Sequence, residues 1–381
     1  MRPKLDWNVL CKVVDNYGDA GVAWRLSRQL VHEHAQRVTL WIDDPAPLAR
    51  MVPGIDPAAE ESRAEGVLVR RGPADAPWVP GDVVVDAFGA GLPPTWIDTM
   101  AHALRPPAWI VLEYLSAEAW VDGAHLRASP EPRTGLARHY WCPGFTPASG
   151  GLLREHDLVA RRDAFLRDPA ARAATLASVG AEPPTHGGVV LLFCYPTPSL
   201  AELFDAWSEA DAPWVVLVPQ GVAADAIDRW SGGRVPHPGA PLVRGALTLV
   251  SIPFVTQRDF DALLWSCDIA IVRGEDSFVR AQWAGLPFAW HAYPQEGLAH
   301  LAKVEAFLDR SLGSAPREAA DAMRAFTLAL NRGDGPALAG AWAPFDRARG
   351  ALAASARHWA DRLASRTDLA AGLVQWVESR L

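Results

Sequence analysis

The sequence predicts an α/β protein built as two parallel-sheet halves with a helical tail, and three observations predict it. Short apolar, β-branched runs alternate with segments of helical periodicity, the pattern of βαβ units. A Pro/Gly-rich stretch, Ala181-Glu182-Pro183-Pro184-Thr185-His186-Gly187-Gly188, separates two sets of such runs, because its prolines stop a helix and its glycines allow a sharp change of direction. Beyond residue 300 the helical period continues without further strand-like runs.

In the first half the strand-like runs are Trp7–Val14, Val38–Ile42, Asp82–Phe88 and Trp109–Leu115. The clearest helix follows the first of them, with Val22, Leu26, Leu30 and Val31 on one face and Arg25, Arg28 and Gln29 elsewhere. In the second half strands are expected at Gly188–Tyr195, Trp214–Pro219, Leu247–Phe254, Asp268–Arg273 and Pro287–Ala292, with helices at Leu200–Ser208 and Asp259–Ser266 among them. The tail reads as helices over Leu301–Leu312, Arg317–Leu330, Ala351–Leu363 and Leu369–Leu381. Two Rossmann-like domains facing a central cleft, with a helical C-terminal tail, describe the glycosyltransferase-B architecture. The expected division is 1–183 for an N-terminal acceptor domain and 184–355 for a nucleotide-sugar donor domain, with helices of 356–381 packing back on the first. Pro143-Gly144-Phe145 and Gly150-Gly151-Leu152-Leu153-Arg154-Glu155 read as a tight interdomain connection.

Composition narrows the function. A chain of 381 residues exceeds what one hydrophobic core usually organises. The net charge of -8 argues against a nucleic-acid backbone as main partner. Cys11, Cys142, Cys194 and Cys267 show no CxxC pairing and the histidines no HxxxH spacing, so neither a metal nor a disulfide framework is expected. No secretory start and no membrane-length apolar run are visible, which predicts a soluble, cytoplasmic protein. Most of the 17 tryptophans read as core packing.

Two segments carry candidate chemistry. Asp15-Asn16-Tyr17-Gly18-Asp19 puts two carboxylates and a glycine where the first strand turns into the first helix, at the carboxyl end where open α/β sheets bind ligands. Phosphate-binding loops carry glycines there. Two carboxylates suit a cationic or hydroxyl-bearing group instead, although Gly and Asp are also ordinary turn residues. The second segment ends a buried strand at Arg273, turns at Gly274, and starts a helix near Glu275, Asp276 and Ser277 that stops at Gly285 before Pro287. Amides at that helix start, beside Arg273, suit a diphosphate, and Glu275 and Asp276 suit sugar or ribose hydroxyls. An ordinary capped crossover helix is the alternative. Phe193, Tyr195 and Phe254 fall at strand tips of the same half, where an aromatic can stack on a base and Gln257 can read its edge. Trp290-His291-Ala292-Tyr293-Pro294-Gln295, His300 and Lys303 are weaker candidates for the same site.

These segments resemble the protein-arginine rhamnosyltransferases of the EarP type, which modify translation elongation factor P. The similar stretches are Cys11–Asp19, Leu112–Glu118, Pro143–Thr146 with Gly150–Glu155, Leu192–Tyr195 and Arg273–Gln282, within residues 7–303. The family more often shows acidic residues at the positions of Asp86 and Gly91, and here the second is glycine. The resemblance implies inverting transfer of L-rhamnose from dTDP-β-L-rhamnose to one arginine of elongation factor P, with no metal or other cofactor and with neither nucleic acid nor membrane as partner. It further implies Asp19 as general base, Asp15 as its assistant and Glu275 as a necessary donor-site residue. Phe193, Tyr195, Phe254, Gln257, Arg273, Asp276 and Ser277 would hold the dTDP portion, with Tyr17 and Gly18 counted among the donor-binding residues.

Such acids answer a chemical need. A guanidinium has almost no free lone pair and is a poor nucleophile until carboxylates orient it and accept a proton as the new bond forms. A sugar-nucleotide 2-epimerase on the same fold, or a non-catalytic module docking on the translation factor, are the competing readings. Asp15, Asp19 and Glu275 argue against the latter, since a binding protein has no need of a base.

Overall fold

The computed structural model describes residues 4–72 and 78–380. They fall into two units, one made of the chain up to His156 together with the chain from Ala364, the other of Asp157–Leu363.

In the first unit, β1 Asp6–Cys11, β2 Arg37–Ile42, β3 Glu61–Ala64, β4 Val67–Arg71, β5 Val83–Ala87, β6 Ala108–Leu112, β7 Ala128–Pro130 and β8 Ala137–Trp141 form one sheet in the order β3-β4-β2-β1-β5-β6-β8-β7. Among the described residues of this sheet only the two edge pairs, β3 with β4 and β7 with β8, run antiparallel. β1 pairs with β2 on one side and β5 on the other, so the direction of winding reverses beside it. At such a topological switch point the loops leaving the carboxyl ends splay apart and leave room for a ligand. Tryptophan fills the core as expected. Trp78 stacks on Trp96 with centroids 4.0 Å apart, Trp41 meets Trp96 edge-on, and the indoles of Trp41 and Trp78 both donate to Asn8 Oδ1.

The second unit repeats the plan. β9 Gly188–Leu192, β10 Trp214–Pro219, β11 Leu242–Arg244, β12 Leu247–Ile252, β13 Ile269–Arg273 and β14 Phe288–His291 lie in the order β11-β12-β10-β9-β13-β14. β9 sits between β10 and β13, both parallel to it, which puts the switch point at the ends of β9 and β13. Phe278 stacks on Trp290 at 4.0 Å, and Phe307 meets Phe278 edge-on beneath them.

Three expectations are corrected here. The division falls at His156/Asp157 and not in the 181–188 stretch, because helices Leu158–Leu166 and Pro169–Ser178 belong to the second unit. There Phe165 packs on Trp265, Arg162 Nη1 donates to the Trp283 carbonyl at 3.0 Å, and Arg172 reaches Ser266 O and Asp268, each at 2.9 Å. The segments 143–145 and 150–155 are no interdomain connection but lie inside the first unit. Trp141 Nε1 donates to Gly150 O at 3.0 Å, and Glu155 pairs with Arg28 at 2.7 Å and Arg25 at 3.3 Å. Residues 356–363, expected with the first domain, belong to the second unit, whereas the final helix, Leu369–Glu378, belongs to the first, and its expected last residue, Leu381, lies outside the described residues. Its cap, Asp368, accepts from Gln29 of helix Tyr17–His34 at 3.1 Å. No helix among the described residues is long and apolar enough to cross a membrane.

Candidate active site

In the first unit the site is built from the end of β1. The apolar strand buries everything from Trp7 to Cys11, and the chain then loops to helix Tyr17–His34 through Asn16, whose φ of 37° lies in the left-handed region. That cap position makes no side-chain bond to the helix start. Asp19, three residues further and only 2% exposed, reaches back instead, its Oδ2 accepting the N–H groups of Val14 at 2.8 Å and Asp15 at 2.7 Å. This is a capping-box contact run backwards into the loop. It fixes both the loop and the carboxylate. Asp15 is half-buried, its carbonyl accepts the Gly18 N–H at 2.6 Å, and a Cβ at Gly18 would stand 2.6 Å from Asp15 Oδ2. Only glycine lets that carboxylate lie against the helix start. Tyr17 accepts at its hydroxyl from Arg50 at 2.9 Å, and the Val13 N–H is held by Asp43.

The neighbouring strand ends add groups that were not singled out as site candidates. Asp86, on β5, is 4% exposed and accepts the Gly91 N–H at 3.1 Å. Burial pushes its carboxyl up to about 6, opposed by the N–H groups of Gly91 and Ala90, while Glu113 adds to the rise and Arg138 opposes it. Phe88, left-handed at φ 61°, stacks on Tyr114 at 4.6 Å. The signal in the sequence is an acid inside a strand that is otherwise apolar, Val83-Val84-Val85-Asp86-Ala87, because a buried carboxyl is costly without a use. The native state favours the protonated form, so stability contributed by Asp86 is full below its ordinary value of 3.8 and is lost as pH rises through about 6. That rise corresponds to roughly 3 kcal/mol at neutral pH. Asp86→Asn, which keeps an acceptor for Gly91, is expected to raise the melting temperature near neutral pH, with the gain vanishing at about pH 4. Paired thermal melts across that window measure it.

In the second unit the predicted donor residues gather at the ends of β9, β12 and β13. The Arg273 guanidinium lies over the Tyr195 ring at 4.1 Å from its centroid and over Phe193 at 5.6 Å. Such a platform holds a cation in place by the pull of the ring faces on its charge. Gly274 turns the chain with φ 58°, and its carbonyl accepts the Trp290 indole N–H at 2.8 Å. Ser277 Oγ accepts from the Arg273 N–H at 3.1 Å and bonds back to the Arg273 carbonyl, closing the turn. Glu275 occupies the cap position of helix Asp276–Ala284 without a side-chain cap bond, and its Oε1 stands 3.6 Å from Lys303 Nζ. Gln257 Nε2 donates to Asp276 Oδ2 at 3.2 Å, and Phe254 is half-buried three residues before it. His291, the register partner of Arg273, is buried with its ring edge-on to Tyr195, and burial, His300 and Arg273 together push its pKa down to about 3.

The structure thus brings Asp15, Tyr17, Gly18 and Asp19 together in one unit and Phe193, Tyr195, Phe254, Gln257, Arg273, Glu275, Asp276 and Ser277 together in the other. Among the described residues no three His, Cys, Asp or Glu side chains gather as ligands of a metal ion would.

Two parallel-sheet units with a helical C-terminal region, each carrying polar residues at its switch point, make this protein a glycosyltransferase of the B fold. The spinosyn rhamnosyltransferase SpnG, 14% identical, shares that fold at a TM-score of 0.50 over 98% of this chain and 99% of its own. The chain belongs to the EarP family, the elongation factor P (EF-P) rhamnosyltransferases, whose model matches residues 7–378. It is 44% identical to the protein-arginine rhamnosyltransferase of Pseudomonas putida, over 99% of this chain and 100% of that one. It also matches, at 34% identity and a TM-score of 0.69 over 99% of this chain and 100% of the other, a structure solved to explain EarP-mediated arginine glycosylation of translation elongation factor EF-P.

Proposed function

We propose that this protein transfers L-rhamnose from dTDP-β-L-rhamnose to an arginine of elongation factor P in the cytoplasm, with inversion at the anomeric carbon and without a metal or other cofactor. The observation that supports it most is topological: in each unit the polar residues in question stand at the carboxyl ends that flank the switch point, acids in one and a cation with aromatics in the other.

In this reading Asp15 and Asp19 hold the acceptor guanidinium and turn one nitrogen toward the sugar. That nitrogen forms a bond to the anomeric carbon as the bond from that carbon to the diphosphate oxygen breaks. Asp19 takes the nitrogen's proton, and dTDP leaves with the bonding electrons. Charge grows on the diphosphate, where Arg273 and the N–H groups opening helix Asp276–Ala284 offset it. Phe193, Tyr195 and Phe254 supply faces for the thymine, and Gln257 and Asp276 supply polar edges. Glu275 accepts from a sugar hydroxyl.

Glu275→Ala is expected to slow single-turnover transfer by about a hundredfold. A rate equal to the native one would take Glu275 out of the site. Gly18→Ala is expected to lower transfer on the order of a hundredfold by displacing the Asp15 carboxylate. Single-turnover rates measure it. The reading as a whole is tested by following release of dTDP from dTDP-L-rhamnose. Release is expected only when elongation factor P is added. Conversion of a sugar nucleotide by the protein alone would mark an epimerase, and no turnover with an intact complex would mark a binding module.

A further inference from the structure

Helices Gln257–Trp265 and Asp276–Ala284 are joined by two polar links of equal spacing. Gln257 and Asp276, the first residue of each helix, bond at 3.2 Å. Four residues along each, Asp261 and Arg280 form a bidentate pair, with Nε to Oδ1 at 2.7 Å and Nη2 on Oδ2. Equal steps of four mean that the helices run side by side in the same direction and in register, one full turn between the links. The second pair is deep inside the unit, Arg280 at 1% and Asp261 at 3% exposed. Burying two charges recovers their hydration only partly, and apolar residues of similar volume commonly stabilise such a place as well or better. What an apolar pair lacks is direction. A forked guanidinium on a carboxylate fixes how far one helix can slide or rotate against the other.

We propose that the Asp261–Arg280 pair is a positioning device that sets the donor residues of both helix starts, Gln257 on one and Glu275, Asp276 and Ser277 on the other. This rests on the reading of that turn as the donor site. A slip of the helix Asp276–Ala284 carries Asp276 away from Gln257 and Ser277 away from the Arg273 backbone it closes upon. The pair is buried away from solvent, so it acts through those four residues.

The test replaces the pair with apolar side chains of similar size, Asp261→Leu with Arg280→Met, and adds Arg280→Lys, which keeps the charge and loses the fork. The expected result for the double variant is a melting temperature close to native with dTDP bound roughly tenfold more weakly. Amide hydrogen exchange at residues 275–279, without ligand, is expected to speed up by about tenfold while exchange in the sheet is unchanged. Arg280→Lys is expected to show the same two effects to a smaller degree, and it decides the matter if the double variant fails to fold. Native dTDP affinity together with native exchange in either folded variant would overturn the proposal. If the unaltered protein does not bind dTDP, the donor reading falls, and the exchange measurement still decides the role of the pair.

Discussion

Asp19→Asn is expected to abolish arginine rhamnosylation, a loss of about a thousandfold or more, with dTDP affinity unchanged. The substitution suits the question because of what Asp19 does in the fold. Its Oδ2 holds the Val14 and Asp15 N–H groups, and an asparagine oxygen can hold them equally well. The amide nitrogen then occupies the second oxygen's place, a donor where the guanidinium nitrogen needs an acceptor. The loop survives and the base does not. Asp19→Ala removes both, so it should also lower the melting temperature, since two loop amides lose their acceptor at about 1–3 kcal/mol each when left unsatisfied. Near-normal turnover by the asparagine variant would end the general-base role.

Arg273→Ala is expected to weaken dTDP binding by about a hundredfold, the loss of a charge-assisted contact of roughly 3 kcal/mol. The guanidinium over Tyr195 and Phe193 is already fixed before any ligand arrives, so little ordering is required when a diphosphate binds. Arg273→Lys keeps the charge and loses the planar stacking and the fork, leaving an intermediate Kd. Calorimetry with dTDP reads both. An alanine variant that binds dTDP natively would move the diphosphate elsewhere.

Much of this architecture is legible in the residues. The nine strands expected from apolar runs are all present, since a strand buried on both faces has to be apolar throughout, and helix Leu200–Ser208 has the bounds its pattern gives. The strands that went unseen, β3, β4, β7, β8 and β11, are sheet edges or next to them, where Glu61, Arg63, Arg138 and His139 replace the apolar signal. Helix Gly335–Arg347 hides because it holds Pro344, and helix Ala224–Ser231 because it is short and polar. The domain division was misplaced for a physical reason: prolines and glycines at 181–188 announce a break in local structure, whereas the boundary depends on which core two ordinary helices choose. At the site, the acids and the Arg273 turn are visible as polar residues at strand ends. Asp86 shows only as an acid inside an apolar run, and the Asp261–Arg280 pair does not show at all, because two charges nineteen residues apart are recognised as a pair only with the helices in place.

One arginine of elongation factor P is expected to receive one rhamnose, with inversion. Incubation of the protein with dTDP-β-L-rhamnose and elongation factor P, followed by tandem mass spectrometry of the modified peptide and NMR of its anomeric carbon, addresses it directly. The expected product carries a single deoxyhexose on one arginine nitrogen in the α configuration. Unmodified elongation factor P, sugar on another side chain, or a β linkage would contradict it.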